Sequence, residues 1–282
     1  MGLTKDQTDF FETFGFLAFR GLFSPSEMET MLRESNEIMS ADRDGNEVGP
    51  PIRQAVQPFF ERRPYLHSLI TDSRMLAIAD GLLGKDNYFM ELTEGNLHVG
   101  DTAWHGGFGS AEILPHIKVS FYLEPLVRET GALCVIPGSH KGDFSERLRR
   151  ISDRAEDPDA KVWGVHPRDV PSYAIESTPG DVLVFKEDTY HGAWGGHPGR
   201  HQHAINYVQL PKTDEQLAHV RGMYEKSKYS FRAVKQNLES DDQVLRRLQQ
   251  PMVDWGFEVQ SLSLIHISEP TRRYASSYAV FC

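Results

Sequence analysis

The spacing of apolar residues changes from helical to strand-like near Asn87, and that change divides the chain. Up to about Leu83 the apolar positions recur at helical intervals. Thr4 is placed to cap a helix over Lys5–Phe14, with Phe10, Phe11 and Phe14 on one side, and GFLAFRGLF then reads as a short strand. Ser24-Pro25 opens a second helix through Met28, Met31, Leu32 and Ile38. Residues 41–64, rich in Gly, Pro and charge, read as a loop that could cross the mouth of a pocket. His67–Leu83 returns to helical spacing and stops near Gly84.

From Asn87 the texture becomes that of strands: YFMEL, NLHVG, IKVSFYLEPL, GALCVIPGS, YAIES, DVLVFKE and HAINYVQL, parted by Gly, Pro and Asp turns. Many short strands with such turns make a sandwich, barrel or jelly roll, and a jelly roll with N-terminal helices is the expected fold. Residues 211–255 turn polar and helical again, suited to a lid or to pairing two copies as a homodimer. The expected organisation is one domain over 1–260: helices in 3–83, a mainly β core in 87–210 and helices in 211–255. The stretch SLSLIHISEPTRRYASSYAVFC continues none of these patterns and resembles translated adapter or vector read-through, so 261–282 is expected to be a non-native or disordered tail.

Composition narrows the function. A chain of 282 residues with 39% hydrophobic and 25% charged positions can bury a substantial core. A net charge of −10 and no basic run argue against nucleic acid or an anionic membrane as partner. Only Cys134 and Cys282 are present, which suits a reducing compartment, and the opening residues lack a secretory signal, so a cytoplasmic protein acting on a small molecule is expected.

Three residues carry the candidate chemistry. His105 follows Trp104 at the end of a predicted strand, before Gly106, Gly107 and Gly109, which permit close approach of a ligand. His191 lies just past the buried-looking strand DVLVF, and Arg200 follows it by nine residues at the start of another strand. Each alone is weak among 12 histidines; as an ordered set on a β-rich frame they are specific. In IKVSFYL, alternation puts Lys118, Ser120 and Tyr122 on one face, either beside a site or as a solvated sheet face. Asn96 and His98 alternate together, and ordinary hydrogen bonding is their simpler reading. Trp104 and Trp194 flank the two histidines and either shape a pocket or pack. His140 is expected to fix a turn, 152–160 to be a solvated acidic loop, and Glu91 and Glu94 to face solvent or a lysine.

At these residues the chain resembles the phytanoyl-CoA dioxygenase family of Fe(II)/2-oxoglutarate-dependent enzymes. The resemblance spans most of 3–210 and rests on LTKDQTDFFETFGFLAFRGLFSPSE, DTAWH, IKVSFYLEPLVRETGALCVIPGSHKG, PGDVLVF with His191, and the Arg200 strand. It implies a double-stranded β-helix, the cupin-like jelly roll, with His105 and His191 as iron ligands. Arg200 would grip the distal carboxylate of 2-oxoglutarate, with Lys118, Ser120 and Trp104 as further cosubstrate candidates.

The family pattern places Asp where this chain has Gly107. Two histidines and one carboxylate normally hold such an iron on one face. Without the carboxylate a chloride or bromide can occupy its position, and the His-x-Gly spelling is similar to that of Fe(II)/2-oxoglutarate halogenases. The reading that follows is a halogenase that uses O₂ to remove hydrogen from an unactivated C–H and returns chlorine. The second reading is a hydroxylase with water, Asp101 or Glu91 completing the site. The third is a non-catalytic binding protein on the same fold.

Overall fold

The computed structural model describes residues 2–43, 53–98, 100–106, 113–152, 161–197 and 199–262, and the backbone of 267–268. Gly107, Phe108 and Gly109, residues 44–52 of the loop, the 153–160 acidic segment and nearly all of the tail lie outside the described residues.

Helix α1 (Lys5–Phe14) starts on a full capping box, Thr4 with Gln7, and strand β1 (Phe16–Phe19) follows. Helix α2 (Pro25–Asp42) repeats the device with Ser24 and Glu27. Strand β2 (Gln54–Val56) interrupts what the composition reads as loop: Arg53 and Gln54 spend their side chains on Asn96 and on the end of α2, so a polar segment is held in the sheet. Helices α3 (Pro64–Leu69) and α4 (Ser73–Leu83) divide the expected single helix, because Asp72 turns to cap the second through the Arg74 N–H.

Strands β3 (Tyr88–His98), β4 (Thr102–His105), β5 (His116–Tyr122) and β6 (Leu133–Val135) come next. Helix α5 (Gly142–Ser152), absent from the sequence reading, then intervenes before β7 (Tyr173–Ile175), β8 (Val182–Lys186), β9 (His191–Ala193) and β10 (Arg200–Gln209). The chain closes with α6 (Asp214–Lys226), β11 (Ala233–Val234), α7 (Lys235–Leu238), α8 (Gln243–Asp254), β12 (Val259–Gln260) and β13 (Ile267–Ser268). Residues 267–268 therefore have a place in the fold, antiparallel to β2, whose open edge offers unpaired backbone groups.

A seven-stranded sheet, β1-β8-β5-β10-β3-β2-β13, faces a four-stranded sheet, β4-β9-β6-β7, the two halves of the jelly roll. The large sheet packs its outer face on the helices through Val119, Phe121, Val184, Ile205 and Tyr207, with Met31, Ile38 and Ile78 opposite. Between the sheets lies a smaller apolar cluster that includes Phe16, Tyr122, Leu133, Val135, Leu183 and Phe185. Much of the remaining inner face is polar, which an interior built only for stability would avoid. Among the described residues no helix is long and apolar enough to cross a membrane.

Candidate active site

Strands β4 and β9 place the two candidate histidines directly opposite one another: His105 pairs with His191 in register, and their rings lie 3.9 Å apart between centroids. Each ring is fixed by the same local device. His105 Nδ1 lies 2.9 Å from the Ala103 carbonyl and His191 Nδ1 lies 2.7 Å from that of Thr189. A carbonyl can only accept, so each Nδ1 carries the proton and each Nε2 keeps its lone pair. Burial pushes both imidazoles below the ordinary histidine value, His191 strongly, with mutual repulsion adding to the effect there. Two neutral, oriented imidazoles, each with a lone pair on Nε2, are a pair of metal donors.

The strand before His191 is braced from its other side. Tyr190 N–H donates to Ser139 Oγ at 2.8 Å, and Thr189 Oγ1 donates to the Gly15 carbonyl. Gly106, at φ +135°, lets the end of β4 press onto this turn; a Cβ there would sit 2.8 Å from the Thr189 carbonyl oxygen. His140, from the same PGSH turn as Ser139, lies 3.3 Å by Nε2 from the Glu12 carbonyl.

Arg200 opens β10 on the inner face and is 2% exposed. Its Nη1 donates to the Gly131 carbonyl and its Nη2 to Thr102 Oγ1 at 3.3 Å, while Nε is buried with no acceptor. Gly131 is needed for this approach, since a Cβ there would meet Nη1 at 2.4 Å. An irregularity in the β4–β9 register between Thr102 and His105 lets both residues serve one face although three apart. Among the described residues no carboxylate pairs with Arg200, so the guanidinium is a buried cation whose Nε lacks an acceptor. The carboxylate of a 2-oxoglutarate molecule would supply the missing acceptors in fork geometry.

The other candidates separate. Lys118 and Ser120 lie on the inner face: Lys118 Nζ is 3.0 Å from Glu94 and 3.2 Å from Glu187, and Ser120 Oγ accepts from Gln202 at 3.4 Å. Asn96 holds Arg53 and Gln202, and His98 is buried and pushed far down by burial and by Arg53 and Arg200. Trp104 is not part of this face. Alternation turns it away from His105 into a cluster with Cys134, Leu148 and Tyr190, and its Nε1 is spent on the Pro167 carbonyl at 2.8 Å. Asp101 is equally committed elsewhere, to Arg168 at 3.3 Å and the Gly195 N–H at 2.7 Å, and Glu91 pairs with His116 at 2.8 Å. Among the described residues no group of three or more His, Cys, Asp or Glu could hold a metal ion, and Gly107 lies outside them.

Sequence reasoning passed over Glu187, Asn206, Gln202 and Arg53. Asn206 and Gln202 alternate inward with Arg200, which it did select, and Glu187 alternates inward with Phe185 of the strand before it.

Solved structures of iron- and 2-oxoglutarate-binding proteins share this fold. HygX from Streptomyces hygroscopicus, solved with nickel and 2-oxoglutarate, superposes with a TM-score of 0.60 at 22% identity over 76% of this chain and 90% of that one. EctD from S. alaskensis, solved with bound Fe, gives 0.54 at 21% over 74% and 77%. SnoN, an α-ketoglutarate-dependent epimerase from nogalamycin biosynthesis, gives 0.55 at 16% over 75% and 87%. The chain belongs to the phytanoyl-CoA dioxygenase family, whose model matches residues 11–197. Ectoine dioxygenases of Bordetella bronchiseptica and Bordetella parapertussis are 28% identical over 156 residues, 49% of this chain, and the match spans about half (50%) of their length.

Proposed function

We propose that this protein is an Fe(II)- and 2-oxoglutarate-dependent halogenase that places chlorine on an unactivated C–H of a small molecule. His105 and His191 would hold the iron through Nε2, and Arg200 would hold the distal carboxylate of 2-oxoglutarate. When bound, iron and 2-oxoglutarate together supply O₂ activation by oxidative decarboxylation. The chain's own part is positional. The carbonyls of Ala103 and Thr189 keep the imidazoles neutral and aimed, and Arg200 sets the cosubstrate's orientation from below.

The observation that carries halogenation over hydroxylation is Gly107, two residues past His105, where the family pattern has a carboxylate. Asp101 and Glu91, the two substitutes weighed from the sequence, are held by Arg168 and His116. The second reading, hydroxylation with water in that position, is favoured by the likeness to ectoine dioxygenases. The experiment is product analysis by mass spectrometry with Fe(II), 2-oxoglutarate and O₂ at high chloride. Chlorinated product supports the first reading; product that is hydroxylated only, with 2-oxoglutarate turnover indifferent to halide, supports the second.

A further inference from the structure

The inner face carries a second cluster, at the opposite end of β10 from Arg200. Lys118 is its centre: a single ammonium between two carboxylates, Glu94 and Glu187. Each of those acids is at least nine-tenths buried. Beside them, Asn206 is 3% exposed, and among the described residues neither its Oδ1 nor Glu187 Oε2 has a donor. The nearby cations are committed: Arg53 donates to Asn96 and His116 pairs with Glu91. Buried oxygens without donors are costly, so an interior that keeps two of them around one lysine is short of N–H groups.

The position of the cluster tells which molecule would bring them. Asn206, Lys118 and Phe185 form one row across β10, β5 and β8, and the Phe185 ring lies tilted against that of His191, 4.6 Å between centroids. Arg200 lies six residues from Asn206 along β10, about 20 Å at strand rise. The distal carboxylate of a cosubstrate held at Arg200 is thus remote from the cluster, whereas a molecule at Lys118 is next to the histidine pair. The Lys118 side chain is 15% exposed, so this end of the face is reached from solvent.

We propose that the substrate is an amine, bound as an alkylammonium whose N–H groups meet Glu187 and Asn206 beside Lys118; the assignment rests on the iron and 2-oxoglutarate reading above. A hydroxyl would bring lone pairs of its own to a place already lacking donors, and a substrate carboxylate would face Glu94 and Glu187. An ammonium brings donors alone, and its bonds to ionised oxygens are the stronger kind. Both acids are in that state: burial pushes them up, but Lys118, with Arg53 for Glu94 and His116 for Glu187, outweighs burial and holds them below the usual carboxylate value.

The test is calorimetric titration of the protein with butylamine, butanol and butyrate, run metal-free and again anaerobically with Fe(II) and 2-oxoglutarate. The expected result is butylamine binding at least tenfold tighter than either analogue, with that preference lost in Glu187→Gln and weakened in Asn206→Leu. Equal or tighter binding of butanol or butyrate, no detectable butylamine binding, or an undiminished preference in folded Glu187→Gln overturns the proposal. The visible absorption band of the Fe(II)–2-oxoglutarate complex, read in the same samples, reports separately on the reading beneath it: amine preference without the band would refute the iron assignment alone, and the band without amine preference would refute only the substrate class.

Discussion

His105 and His191 face each other across one antiparallel pair, and each hands its Nδ1 proton to the carbonyl two residues before it. The symmetry means that neither imidazole needs a side-chain partner to choose its tautomer. The backbone of β4 and of the β9 turn does so.

The first expected outcome follows from that pair. His105→Ala and His191→Ala should each lower iron-dependent succinate formation at least a hundredfold while leaving the far-ultraviolet circular dichroism unchanged, because removing one of two donors dismantles the site but not the sandwich. Turnover that survives either change would place the metal elsewhere.

Arg200 is expected to act on cosubstrate alone. Arg200→Lys should raise the KM for 2-oxoglutarate tenfold or more, since lysine cannot reproduce a bidentate fork, and steady-state kinetics at varied 2-oxoglutarate reads the effect. An unchanged KM would mean that the orphaned Nε serves something other than this carboxylate.

Ser139 ties the PGSH turn to the β9 approach by accepting from the Tyr190 N–H. Ser139→Ala should cost about 1–3 kcal/mol of stability in denaturant unfolding, the range for a buried donor that loses its acceptor. It should also weaken metal binding, because Thr189, whose carbonyl orients His191, is the next residue back. A variant as stable as the parent would remove Ser139 from the account.

Acid should destabilise the fold through its buried histidines. Burial, with His201 beside it, pushes His203 down to about 3, and burial with Lys186 pushes His140 down to about 4, against 6.5 for an ordinary histidine. Their folded values are depressed, so the unfolded chain binds more protons below pH 6.5 and stability falls as pH falls from there. Thermal melts from pH 7 to 4.5 should show this slope, and His203→Gln, which keeps a partner for Ser35, should flatten it.

The chain announces much of this in its own spelling. Capping residues Thr4 and Ser24 mark α1 and α2, and the alternation in IKVSFYL correctly puts Lys118 and Ser120 on one face and Val119 and Phe121 on the other. The order His105, His191, Arg200 is also readable, because the spacing of strand ends survives in sequence. Other features are not. Strand β3 runs unbroken through Glu94-Gly95, which reads as a turn, so Glu94 could not be seen as sharing an inner face with Asn96 and His98. Strand β2 depends on tertiary bonds from Arg53 and Gln54 that no local pattern encodes. Trp104 is different: its turn away from His105 follows from alternation alone, and adjacency to the histidine concealed it.

Chloride titration of the anaerobic Fe(II)–2-oxoglutarate complex, followed by visible absorption, tests the central assignment most directly because it needs no substrate. The account predicts a saturable shift of the band with chloride in the parent protein and none in Gly107→Asp, where a carboxylate reoccupies the position. A band indifferent to chloride in the parent, or equally responsive in Gly107→Asp, would contradict it.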